Sequence, residues 1–119
     1  MTIEECYNAF GGNYRDVLQR LIKEERVERF LKRFPEQDMI TPIEKSIEEK
    51  DYKQAFLDAH TLKGLCATLG MSKLYKSVSD LTECLRPAHD EKPPLGKPEN
   101  FLKDVKKDYK LTTDMIALL

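Results

Sequence analysis

Residues 59–70 read Ala-His-Thr-Leu-Lys-Gly-Leu-Cys-Ala-Thr-Leu-Gly. Extended backward to Asp51, which can cap a helix, and closed by Gly70, which can take a left-handed cap, the segment predicts one long helix over roughly Tyr52 to Leu69. At about 100° per residue, Ala55, Ala59, Leu62, Cys66 and Leu69 fall on one side, spaced as in the seam of a helical bundle. That side is core. His60, Lys63, Gly64 and Ala67 lie on another side, with Phe56 one turn toward the amino terminus, so His60 is expected to face solvent.

The exposed strip has residue types suited to carrying a phosphoryl group. An imidazole has an ordinary pKa of about 6.5, which leaves a nitrogen lone pair available as a nucleophile near neutrality. Lys63, one turn away, offers a mobile positive charge to balance a phosphoryl group on the ring. Glycine inside a helix costs roughly 0.5 to 1 kcal/mol relative to alanine, so Gly64 needs a reason. Access is the reason read here: with no side chain at 64 and only a methyl at Ala67, the ring stays open to another protein surface. Phe56 reads either as core or as part of a docking rim. No glycine-rich phosphate loop, Walker-type motif or carboxylate pair suggests a nucleotide or metal site, so the expectation is a phosphoryl carrier without kinase activity.

The flanking sequence supplies the partners of this helix. Ser72 can cap a following helix with the stripe Leu74, Val78, Leu81 and Leu85, and the short connection makes the two an antiparallel hairpin. Pro87 to Pro98, with four prolines and one glycine in twelve residues, reads as the one long loop. From Glu99 onward Phe101, Leu102, Val105, Tyr109, Leu111, Met115, Ile116 and Leu119 mark a last helix. Upstream, Thr41-Pro42-Ile43-Glu44 has capping-box spacing before Ile47, with Ile40, Ile43 and Ile47 inward. Thr2 and Glu5 have the same spacing, starting a short helix with Ile3, Cys6, Tyr7 and Phe10 that stops at Gly11-Gly12. Asn13 then caps a segment carrying Tyr14, Val17, Leu18, Leu21 and Ile22, continued by Val27, Phe30, Leu31 and Phe34 after a bend near Lys23 to Glu25, and Phe34-Pro35 ends it. The fold class is all-α: an antiparallel four-helix bundle over about residues 37–119, with one or two short helices over about residues 2–34 packed across it.

Composition narrows the possible functions. A chain of 119 residues is read as one domain, 1–119. A formal charge of −1 provides no global field for nucleic acid or an anionic membrane. Cys6, Cys66 and Cys84 lack metal-site spacing and read as buried thiols of a reducing compartment. No basic leader precedes an apolar run, and no segment approaches the roughly eighteen apolar residues of a membrane span, so a cytoplasmic protein is expected. It is read as a monomer, and Met1 directly before the first helix signal favours a free-standing protein over a fragment.

The histidine, the lysine-glycine pair three and four residues later, the small residues and the closing leucine-glycine resemble the histidine-containing phosphotransfer (HPt) domain family, and the order of helices is similar over most of the chain. The resemblance implies that His60 accepts a phosphoryl group on its outer ring nitrogen from a receiver-domain aspartyl phosphate. Lys63 would stabilise the charge, and Gly64, Ala67, Phe56 and Leu65 would shape docking. Response-regulator receivers and a hybrid sensor histidine kinase would be the partners. No cofactor or metal is expected in the chain itself, the magnesium coming with the receiver. Leu65 departs from the small residue usual after the lysine-glycine pair and is expected to narrow or reshape the docking surface. Lys73, Lys76 and Ser77 rank second as site residues, and His89 reads as incidental. A helical adaptor that binds receivers or another signalling partner without transfer is the alternative; a metal- or ligand-binding bundle is a third reading, without recognisable ligand spacing.

Overall fold

The computed structural model describes residues 1–119 and contains seven α-helices and no strand. Thr2 and Glu5 form the expected reciprocal capping box, opening α1 (Ile3–Phe10), which ends at Gly11 in the left-handed region. Asn13 accepts from the Asp16 N–H at the start of α2 (Tyr14–Leu21). The bend expected near Lys23 is a complete break. Ile22 takes φ 71°, and the Lys23 N–H donates back to the Leu21 carbonyl at 2.8 Å, a tight reversal before α3 (Glu24–Arg33). Three amino-terminal helices therefore stand where one or two were expected. Of the apolar residues on this segment, Ile22 and Phe30 are exposed to solvent, while Val17, Val27 and Leu31 are buried.

A 3-10 turn at Phe34–Glu36 leads to α4 (Thr41–Glu48). Its cap differs from the one expected: Thr41 makes no capping box with Glu44. Asp38 does the work instead, its Oδ1 accepting from the N–H groups of Ile40 and Thr41. Three residues before Thr41, this Asx-type turn binds the N–H groups that enter the helix, while the Glu44 N–H, which a capping box would give to the Thr41 side chain, donates to the Ile40 carbonyl at 2.9 Å. Asp51 caps α5 (Tyr52–Thr68), as its position predicts. Ser72 is not a cap but the first residue of α6 (Ser72–Leu85), preceded by Met71 without a side-chain cap bond.

The expected long loop is shorter than its prolines imply. Arg86–Asp90 continues α6 as a 3-10 turn, since a proline at the start of a turn gives up an N–H that would be unpaired anyway. Pro98 opens α7 (Pro98–Ile116) for the same reason.

Helices α4, α5, α6 and α7 form the bundle, with α6 packed against both α5 and α7, and α4 against α5 and α7. Ala55, Ala59, Leu62, Cys66 and Leu69 are all buried and belong to the same core as Leu74, Val78, Leu81 and Leu85. The seam is the predicted one. Helix α1 lies on α7, and its buried Tyr7 hydroxyl donates to the Leu69 carbonyl at 2.7 Å, tying it to the end of α5. Gly70 (φ 64°) accepts from the Asn13 N–H at 2.8 Å there, and a Cβ on Gly70 would stand 2.8 Å from the Asn13 oxygen. This glycine is demanded by both its backbone and its neighbour. The molecule measures 43 × 23 × 19 Å, and no helix is long and apolar enough to cross a membrane.

Candidate functional site

Helix α5 runs through the bundle with its seam inward, which leaves the opposite strip at the surface. His60 lies on that strip, exposed, with Gly64 and Ala67 exposed on the two following turns. A Cβ built on Gly64 meets nothing within 4 Å. Packing therefore does not account for this glycine, in contrast to Gly70. The carboxyl end of the helix is held by α2: Arg20 donates to the Ala67 carbonyl at 2.8 Å and to that of Thr68 at 3.0 and 3.2 Å, while pairing with Asp16 at 2.8 Å. A cation hydrogen-bonded to the last carbonyls is favourable at a helix carboxyl terminus.

Phe56 is 6% exposed, so it is not an exposed rim. Its ring forms a buried support on one flank of the histidine, 5.9 Å from the His60 ring at 24° between planes. His89 packs on the same phenyl ring at 5.5 Å, and the Arg86 guanidinium carbon stands 5.2 Å from its centroid. His89, read as incidental, thus shares an aromatic support with His60. The exposed apolar residue on the histidine strip is Leu57, 43% exposed, which the sequence reading missed. At 100° per residue Leu57 and Phe56 fall on opposite flanks of His60. Periodicity could have separated them, but only the placement of α6 and its 3-10 turn decides which flank is covered.

Lys63 is not a freely solvated lysine. Its side chain is 21% exposed, its Nζ lies 3.9 Å from Glu83 Oε1 and 5.8 Å from the Tyr75 ring centroid, both on α6. Glu83 also accepts from Arg86 through both oxygens, at 2.8 and 2.9 Å. That hydrogen-bonded guanidinium holds the Glu83 carboxyl below the usual carboxylate range, against a smaller opposing effect of burial. Glu83 and Arg86 were missed as well. Their (i, i+3) pairing is visible in the sequence, whereas their approach to α5 depends on helix rotation.

Leu65 does not lie on the histidine face. It is half-buried and lines an apolar groove with Phe30, Phe34, Met39 and Leu69, so its bulk is taken up by packing toward α3 and does not narrow the surface beside Gly64. Lys73, Lys76 and Ser77 line a groove with Asp80, Asp104 and Lys107 between α6 and α7, without any residue of α5. They do not join His60. Burial raises the thiols of Cys6, Cys66 and Cys84, Cys66 to about 12, which keeps them protonated at neutral pH. No three His, Cys, Asp or Glu side chains are placed to hold a metal ion.

The arrangement presents an exposed imidazole on a rigid helix, an open surface over Gly64 and Ala67, and cations at one edge. A family model for the Hpt domain matches residues 25–115. No curated protein and no solved structure matches the chain.

Proposed function

The chain belongs to the Hpt domain family, the histidine phosphotransfer domains of two-component signalling, and we propose that it carries a phosphoryl group on His60 between receiver-domain aspartates in a multistep relay. One observation carries the reading: an exposed imidazole stands beside a helix-interior glycine that no packing contact explains. The lone pair of the outer ring nitrogen attacks phosphorus, the N–P bond forms as the acyl O–P bond breaks, and the electron pair leaves on the donor's aspartate. Such in-line transfer needs positioning and charge neutralisation more than covalent chemistry from the protein. Helix α5 supplies the position. Lys63 supplies part of the neutralisation, the receiver's magnesium and its own cation the rest, and the chain needs no cofactor of its own.

Leu57, Gly64 and Ala67 form the docking face, with Phe56 supporting the histidine from beneath. Phosphorylated receivers and a hybrid sensor kinase are the partners, and residues 1–119 act as one monomeric, cytoplasmic unit without kinase activity. Incubation with receivers phosphorylated on aspartate tests this reading. Transfer of label to the chain, labile in acid and stable in alkali, is the expected result. Binding without label would make the chain a receiver-binding adaptor.

A further inference from the structure

Glu83 places a carboxylate where two cations near the histidine converge, and the carrier role gives it no part. It reaches across from α6 to Lys63 at 3.9 Å and takes a forked pair of bonds from Arg86, whose guanidinium lies against the phenyl ring that supports His60. A phosphoryl group on His60 adds about two negative charges one turn from Lys63. The two anions then share one set of cations. Resting on the proposed carrier function, we infer that Glu83 is a built-in competitor for the phosphoryl group: it satisfies Lys63 and Arg86 in the unphosphorylated state, disfavours the phosphorylated state, and so biases His60 toward passing its phosphoryl group on.

Glu83 is a tuning residue, not a catalytic one, since it touches neither the imidazole nor the reacting atoms. Its effect belongs to the equilibrium between separated, phosphorylated and unphosphorylated proteins, whereas an effect on docking alone would move rates and leave that equilibrium in place. Both Glu83 and Arg86 are about half exposed, 55% and 49%, so neutral variants keep the fold.

The test is the equilibrium constant for phosphoryl exchange between one receiver and the carrier, read as the ratio of label on the two proteins from both directions of approach. Exposed charge pairs are individually weak, so Glu83→Gln is expected to shift the constant toward phosphorylated carrier by roughly two- to five-fold. Arg86→Gln, which removes a cation, is expected to shift it the other way. In a Lys63→Ala background the Glu83→Gln effect should shrink, because one of the contested cations is gone. A wild-type carrier that takes label, with a Glu83→Gln constant unchanged or moved toward the receiver, overturns the inference and leaves the carrier function standing. A wild-type chain that takes no label from any receiver overturns both.

Discussion

At the scale of single residues, a glycine inside α5 and a glycine just past its end have opposite explanations. Gly70 is fixed by a positive φ and by the Asn13 carbonyl, whereas Gly64 has helical geometry and empty space over it. Gly64→Ala is therefore expected to raise stability by about 0.5 to 1 kcal/mol, measured by denaturant unfolding, while Gly64→Gln slows transfer from a phosphorylated receiver. Transfer by the glutamine variant at the wild-type rate would remove the steric role of the open surface. Phe56 and Leu57 make a second contrast. Phe56→Ala deletes a buried ring and should cost about 3 to 5 kcal/mol, whereas Leu57→Ala should leave stability within about 0.5 kcal/mol and weaken receiver binding. Calorimetry and binding titration on the same variants separate the two roles. The His60 strip was legible in the sequence because five seam residues fix the rotation of α5. Leu57, Glu83 and Arg86 were not, because their roles depend on which flank α6 covers.

At the scale of elements, helix stripes were more legible than helix ends. The seam of α5 and the stripe of α6 are buried as their spacing predicts, and Leu62→Ala should accordingly cost about 2 to 5 kcal/mol in urea unfolding. Caps were read less well, since a turn ahead of a helix can bind its first N–H groups from a residue that helix spacing does not single out. Asp38, three residues before the expected capping box, caps α4, and its hydrogen bonds from Thr41 and Ile40 lower its carboxyl from the ordinary value. Asp38→Ala is expected to destabilise the protein by about 1 kcal/mol at neutral pH, and Thr41→Ala, which removes only the hydroxyl that donates to Asp38 Oδ2, by less. The sign with pH follows from the lowered folded-state value: the contribution is complete above the ordinary carboxylate pKa and is lost as pH falls through the lowered one. Stability of the wild type and Asp38→Ala should therefore converge in acid. A difference that stays constant into acid would show that charge plays no part in this cap.

At the scale of the whole molecule, the amino-terminal helices and the bundle meet at the end of α5, where Tyr7, Asn13 and Arg20 all hydrogen-bond to carbonyls of residues 67–70. The sequence displayed the apolar face of α1 but not this destination, which no local pattern encodes. Tyr7→Phe, which leaves the Leu69 carbonyl without that donor, should lower stability by about 1 to 3 kcal/mol with helical content unchanged. Circular dichroism and thermal unfolding check both parts. Held at its carboxyl end, α5 can present His60 to another folded protein without rearranging the core. The central claim is that this one imidazole accepts the phosphoryl group, and Lys63→Ala, which leaves the nucleophile in place, should slow transfer or shift its equilibrium without abolishing it. The most direct measurement is transfer of label from a phosphorylated receiver to the wild type and to His60→Gln, with helical content checked alongside. Acid-labile label is expected on the wild type and none on a fully folded His60→Gln. Label of phosphohistidine stability on the glutamine variant would contradict the central claim and move the acceptor to His89, the other histidine on the Phe56 ring.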